Sequence, residues 1–268
     1  ATARYDIAVH ACAGQLKAIG TDDPAVQAEL YYRLGKLAMI RLDRVTEGLA
    51  AMRKALKLFP GHIPALEDAG RYLIANDAWS QLLELLKQTG HENDTMIIYT
   101  SDHGEEFWDH GRVGHGQSLR QELIHIPMWI YYPPLFPAGK VVEEGAELVD
   151  IMPTLTDALG LPTPKDVQGE SLIPIAQGQL SGYPRPAIAS QYELAHTMRL
   201  GRYKLWVGGS GQVKLYDGQD DPGEQRELTQ EQPLAYRFVA DAMSLWMAYQ
   251  GSWKKAHWGV ASNLRSEF

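Results

Sequence analysis

Thr95-Met96-Ile97-Ile98-Tyr99-Thr100-Ser101-Asp102-His103-Gly104-Glu105-Glu106, followed by Asp109-His110-Gly111 and Gly114-His115-Gly116, is the stretch that decides the fold. An apolar, β-branched run of this length reads as a short strand, Thr95–Thr100, buried on both faces. It ends in an acid, a histidine and a glycine. In open α/β sheets, ligands bind beyond the carboxyl ends of such strands. The Asp102 carboxylate offers a hard oxygen suited to Ca²⁺ or Mg²⁺. The neighbouring His103 imidazole adds nitrogen and shifts the preference toward Mn²⁺ or Zn²⁺. Gly104 permits a sharp exit from the strand. His110 and His115 lie on the following loop, where a histidine can bind an oxyanion or protonate a leaving group. One exposed histidine would carry little weight. Three between positions 103 and 115, each beside a glycine and all after a strand end, carry more.

Downstream, the pattern stays α/β. His125–Tyr131 reads as a second strand, with Pro127 near its start, where proline is tolerated. Asp150–Leu159 reads as a helix capped by Asp150, with Pro153 in the first turn. Gly160-Leu161-Pro162 ends it, and residues 163–186 are loop-rich. Four short β segments follow at Ala187–Gln191, Thr197–Leu200, Tyr203–Val207 and Val213–Tyr216. The turns between them are short, which predicts an antiparallel sheet. Residues 233–249 form an amphipathic helix in which Leu234, Phe238, Ala242, Leu245, Trp246 and Tyr249 share a face.

Upstream, residues 4–19 read as a helix, and Gly20-Thr21-Asp22-Asp23-Pro24 breaks it and caps the next. Residues 24–87 are rich in Ala and Leu with helical spacing throughout. Tyr31, Leu34, Gly35 and Ala38 correspond to Leu66, Ala69, Gly70 and Leu73 at an offset of 35 residues. That periodicity resembles the tetratricopeptide repeat, in which a small residue lets paired helices approach closely. Fewer than three repeats rarely stand alone.

Of the 268 residues, 45% are hydrophobic and 22% charged, an ordinary globular composition. No apolar run approaches the roughly 18–20 residues that span a bilayer. Ala1-Thr2-Ala3-Arg4-Tyr5-Asp6 has no apolar leader core, so the chain is expected either to be cytosolic or to lack an N-terminal part of its gene product. In the second case an extracytoplasmic or membrane-anchored location is expected. The single Cys12 excludes an intrachain disulfide. A net charge of −8 argues against nucleic acid as a partner.

Thr100-Ser101-Asp102-His103-Gly104-Glu105, with Gly114-His115-Gly116-Gln117-Ser118-Leu119 and Ile126-Pro127, resembles the sulfatase family of the alkaline phosphatase superfamily. Further landmarks agree: Leu148-Val149-Asp150-Ile151-Met152-Pro153-Thr154-Leu155, Gly201-Arg202-Tyr203-Lys204-Leu205, Leu215-Tyr216-Asp217 and Asp221-Pro222-Gly223-Glu224. Ala3-Arg4-Tyr5-Asp6 resembles the start of the helix that precedes the family's Asp-His strand. The resemblance covers residues 1–19 and about 84–268. It implies an α/β fold, the C-terminal portion of an alkaline-phosphatase-like sandwich with a small antiparallel C-terminal sheet, joined here to an α-helical hairpin repeat module. It also implies a divalent metal, Ca²⁺ first and Mg²⁺ or Mn²⁺ as alternatives, that holds a sulfate or phosphate ester. Asp102 and His103 match two metal ligands. His115, and with it His110, is placed among the catalytic residues that bind the anion or assist the leaving group.

Two departures from the family stand out. The Cys/Ser-x-Pro-x-Arg motif that yields the formylglycine nucleophile is absent, and Cys12 in His10-Ala11-Cys12-Ala13-Gly14 does not fit it. The paired aspartates that complete the metal site lie upstream in the family, and Asp22-Asp23 sits in a capping loop. The chain is therefore expected to be the C-terminal half of a sulfatase, weak or inactive by itself. The second departure is that residues 20–83 have no counterpart. Their excision would join Gln15–Ile19 to Leu83–Gly90 as one amphipathic helix. The division expected is 1–19, first half of a sulfatase helix; 20–83, tetratricopeptide-like insertion; 84–186, α/β core portion with the metal site; and 187–268, C-terminal sheet and helix. Hydrolysis of sulfuric esters is the leading function. A phosphoryl-ester hydrolase or transferase of the same superfamily is one alternative. The other is a non-catalytic scaffold whose residues 24–87 bind a protein or peptide.

Overall fold

The structure, a computed structural model, describes residues 7, 10–12, 14–15, 23–179, 184–191 and 195–264. Of the helix expected at 4–19, the described residues are helical; the rest lies outside them. The chain divides into two compact units, residues 1–97 and 98–268.

In the first unit, four helices follow one another: α1 (Pro24–Arg41), α2 (Val45–Leu58), α3 (Ile63–Ala75) and α4 (Trp79–Thr89). Asp23 caps α1, its Oδ1 accepting from the Ala25 and Val26 amides at 3.0 and 3.2 Å. Three- and four-residue loops fold the helices into antiparallel hairpins. Gly35 and Gly48 set the first crossing. A β-carbon on Gly35 would stand 2.7 Å from the Gly48 carbonyl oxygen, and one on Gly48 would stand 2.8 Å from that of Gly35. Backbone meets backbone there, so no side chain fits. Gly70, the counterpart of Gly35 in the second hairpin, meets only Leu82 Cδ1 at 3.6 Å, an ordinary contact. The core beneath is Met52, Ala55, Leu56, Ala65, Ala69, Leu73, Leu82, Leu85 and Leu86. Its main polar intrusion is His62. That ring accepts from the Ala65 amide through Nδ1 at 3.2 Å and lies 3.1 Å from Glu29 Oε2 through Nε2.

In the second unit, β1 (Ile97–Thr100) pairs with β4 (Met128–Tyr131). The expected full burial of the strand is not observed. Its residues are half-buried, and Tyr99 is exposed on a face where it stacks against Trp129 at 5.4 Å. Among the described residues β1 has one paired neighbour, β4. Between these strands lie the two-stranded ribbon β2 (Glu106–Phe107) and β3 (Val113–Gly114), and the single-turn helix α5 (Gln121–Ile124). Helix α6 (Ile151–Ala158) follows a 3₁₀ turn at Leu148–Asp150, and α7 (Ile173–Ala176) comes next.

Asp150 does not cap the helix through its side chain as expected. Glu147 caps the 3₁₀ turn, and Asp150 closes a capping box by accepting from the Glu147 amide at 2.7 Å. The fully buried Asp150 carboxylate also takes a bidentate pair from Arg185 at 2.6 and 2.8 Å and the Glu170 amide at 2.9 Å. The charge is removed from capping because Arg185, distant in sequence, claims it.

The C-terminal sheet runs β5 (Pro186–Gln191), β6 (Ala195–Leu200), β7 (Tyr203–Gly208) and β8 (Val213–Asp217) in that order, every neighbouring pair antiparallel. Helix α8 (Pro233–Leu264) packs on it through Val239 and Met243 against Met198, Leu200, Leu205 and Leu215. The face expected to be inward is largely outward: Leu234, Phe238, Leu245 and Tyr249 are exposed, while Ala242 and Trp246 pack at the edge of the core. The helix carries apolar residues on both sides. Shape matching to the sheet, rather than hydrophobicity alone, selects the Val239–Met243 stripe.

Candidate metal centre and ester site

The corner after β1 is built by a close approach. The Gly104 amide donates to the Leu123 carbonyl on α5 at 2.8 Å. A β-carbon at Gly104 would lie 1.9 Å from the Glu122 carbonyl oxygen. The glycine is thus required by α5 pressing on the chain, not by a left-handed turn, since its φ is not positive.

At this corner Asp102 and His103 converge. Asp102 Oδ2 stands 3.6 Å from His103 Nε2. The His103 amide donates to Asp102 Oδ1 at 3.0 Å, and this bond, with the field of the His103 ring, holds the Asp102 carboxyl below the usual carboxylate range. His103 Nδ1 lies 2.8 Å from the Gly104 carbonyl, so it carries the proton and leaves Nε2 as the free donor atom. Two donor atoms so separated are spaced as neighbouring ligands of one ion at 2.0–2.6 Å would be. The pair therefore fits a divalent cation.

The ribbon determines what else comes near. Its register pairs Glu106 with Gly114 and Phe107 with Val113. One step back, the same register sets Glu105 opposite His115, and Glu105 Oε1 lies 2.5 Å from His115 Nδ1. The His103 and His115 rings lie tilted by 33°, with 4.1 Å between centroids. Among the described residues, His103, Glu105 and His115 are the one group whose ligand atoms all lie within 4.8 Å of one another. Glu105 is the participant that residue-type reasoning passed over. Its signal is positional: it lies two residues from His103 and across the ribbon from His115.

His110 does not join this group. Its ring is tucked beside Glu122, with Nε2 3.6 Å from Oε1 and both atoms without a hydrogen-bond partner. It sits in the ribbon's turn, which the Trp108–Arg112 and Gly111–Trp108 backbone bonds close at 2.8 and 3.0 Å. Trp108 adopts φ 74° there, a rare conformation for a bulky residue. Alternation sends Glu106 to the other face of the ribbon, where it is fully buried and accepts from Ser118 Oγ at 2.9 Å. With Arg112, Arg120, Lys204, Trp206 and Tyr216 it lines a cavity of about 460 Å³. Lys204 is buried in that wall, its Nζ donating to the Leu119 carbonyl at 2.7 Å and to Glu224. Burial pulls the Lys204 pKa down, and Glu224 only partly offsets it.

The pattern of the Sulfatase family matches residues 71–161. Arylsulfatase K of Bos taurus is 29% identical over 168 residues, which is 57% of this chain and 31% of that protein. Over these residues the chain is similar to the sulfatase family. A second relative, the multifunctional alkaline phosphatase superfamily protein PehA of Trinickia caryophylli, is 36% identical over 113 residues, 40% of this chain and 21% of that protein. The phosphonate monoester hydrolase of Agrobacterium radiobacter shares the fold, with a TM-score of 0.54 at 24% identity over 76% of this chain and 42% of its own. The chain thus spans about a fifth to a third of the length of these curated relatives. The sulfatase match begins at Arg71 within α3 and includes all of α4. No described helix is long and apolar enough to cross a membrane.

Proposed function

We propose that the protein carrying this chain hydrolyses sulfate esters, with Asp102 and His103 holding a divalent cation, Ca²⁺ first. The observation that carries this reading is the 3.6 Å convergence of Asp102 Oδ2 and His103 Nε2 at a strand end inside the sulfatase match. When bound, the cation neutralises the nonbridging oxygens of the ester. Asp102 is ionised at neutral pH and pre-oriented by the His103 amide. His115 is oriented by Glu105 through Nδ1, and in its imidazolium form Nε2–H would donate to the leaving oxygen. His110, buried beside Glu122, acts at most through the loop it supports. A nucleophile and further carboxylates are supplied from outside the residues matched here.

Turnover of an aryl sulfate by the protein is the test. Asp102→Ala is expected to abolish it, and unchanged turnover would overturn the reading. Comparing aryl sulfate with aryl phosphate and phosphonate addresses the second reading, phosphoryl-ester hydrolysis or transfer, which the likeness to a multifunctional relative favours. The helical unit is proposed as a tetratricopeptide-like module, residues 20–83 of ancestry separate from 1–19 and 84–268, that docks a peptide at 24–87. The tight Gly35–Gly48 crossing supports that reading.

A further inference from the structure

We propose that the cavity on the far face of the β2–β3 ribbon binds a small ring-bearing carboxylate, apart from the Asp102–His103 corner. Strand alternation separates the two places. Glu105 and His115 lie on the corner's side, while Glu106 points the other way, into the cavity wall. The loop at residues 116–120 and all four strands of the C-terminal sheet complete that wall. Its volume of about 460 Å³ falls within the roughly 300–1,000 Å³ of small-molecule pockets.

Charge decides what enters. Arg112, Arg120, Lys204 and Lys214 line the cavity against Glu106 and Glu224, four cations to two carboxylates, in a chain of net charge −8. Glu224 is already shared by Lys204 and Arg120. Arg112 and Lys214 are exposed at the rim and have no carboxylate partner among the described residues. Arg112 spends Nη1 on the Gln117 carbonyl at 2.8 Å, which leaves the rest of its fork for a bidentate carboxylate. Lys214 Nζ stands 5.8 Å from the centre of the half-buried Trp206 ring, so a cation and a flat apolar surface are side by side. Deeper in, Glu106 Oε2 and His110 Nε2 lie in the wall without a hydrogen-bond partner. They favour a ligand whose end opposite the carboxylate carries hydroxyls, bridged to them by an ordered water. An anion, a ring and a hydroxyl-bearing end define the class. A sugar acid and a hydroxylated aromatic acid both present that chemistry.

The site does not rest on the sulfate-ester reading. Asp102, His103 and His115 are not among the residues that line it.

The test follows the Trp206 indole N–H signal by NMR while the protein is titrated with glucuronate and, separately, with 4-hydroxybenzoate. Trp206→Phe identifies that signal. A saturable shift is expected with at least one of the two acids, and the tighter one tells a sugar ring from an aromatic ring. Glucose, a ring without the anion, should bind at least about tenfold more weakly, the worth of one charge-assisted hydrogen bond. Acetate, an anion without the ring, should also bind more weakly. Arg112→Gln and Lys214→Gln should each weaken the acid by about tenfold or more, with circular dichroism showing both variants folded. Asp102→Asn should bind as the parent does. The absence of a saturable shift with either acid overturns the proposal. So does acetate or glucose binding as tightly as the acids, or undiminished binding in both rim variants. Loss of binding in Asp102→Asn places the ligand at the corner and overturns it as well.

Discussion

The helical unit and the α/β unit are held together by different physics. In the first, Leu and Met side chains interdigitate over a backbone crossing at Gly35 and Gly48; Lys36–Asp68 and His62–Glu29 tie α1 to α3, and the surface carries exposed i,i+4 partners such as Glu29–Arg33 and Glu67–Arg71. Such pairs contribute a few tenths of a kcal/mol each. In the second, buried charges join distant segments: Asp150 with Arg185, and Lys204 and Arg120 with Glu224. Apolar packing tolerates small changes in proportion to volume. A buried ion pair fails abruptly, because the surviving partner is left charged and dry. The contrast teaches that the unit carrying the Asp102–His103 corner is also the one whose shape depends on polar networks.

Five substitutions would break or sharpen this contrast. Asp150→Ala takes from Arg185 its bidentate partner, leaving it the Gly145 carbonyl and the exposed Glu170, and leaves two amides unpaired, so it should cost about 3–5 kcal/mol. Chemical denaturation should read that loss, with amide exchange rising between residues 145 and 188. Leu56→Ala removes a fully buried side chain from the helical core and should cost about 2–5 kcal/mol. Its exchange increase should appear at residues 24–89, and the cost should not change between low and high salt. Gly35→Ala forces the α1–α2 crossing apart at about 1–3 kcal/mol, whereas Gly70→Ala, with only Leu82 nearby, should be close to neutral. A similar cost for both would refute the assignment of the crossing to Gly35.

The smallest effect concerns acid. Burial raises the Asp217 pKa, but Arg202 and the Asp220 and Gln219 amides outweigh it and the net shift is downward. A carboxyl whose folded pKa is depressed contributes stability above its unfolded value near about 3.9, and that stability is lost as pH falls through the lower folded value. Thermal melts of Asp217→Asn should therefore lose less stability than the parent below about pH 4. Because Arg202 is partly exposed, the difference should stay under about 1 kcal/mol.

Legibility in the sequence followed the range of the interactions. The helical character of residues 24–87, the β1 and β4 strands and the four-stranded antiparallel sheet were readable, because periodicity and turn residues are local signals. Asp102 and His103 were readable for the same reason, as a polar pair closing an apolar run. The inward face of α8 was not, since Leu234 and Val239 are equally hydrophobic and only the sheet discriminates between them. Asp150 looked like a helix cap until Arg185 claimed it. Glu105 looked like one more surface acid until the ribbon register set it against His115.

The sequence by itself determined the element types, the placing of Asp102-His103 at a strand end and the likeness to sulfatases, because all three reside in short contiguous patterns. Tertiary structure alone decided that Gly104 answers to Glu122 on α5, that His110 leaves the site for Glu122, and that Glu105 enters it. Those outcomes depend on which backbones meet in space, and a chain's local chemistry does not encode a meeting until every intervening segment has folded.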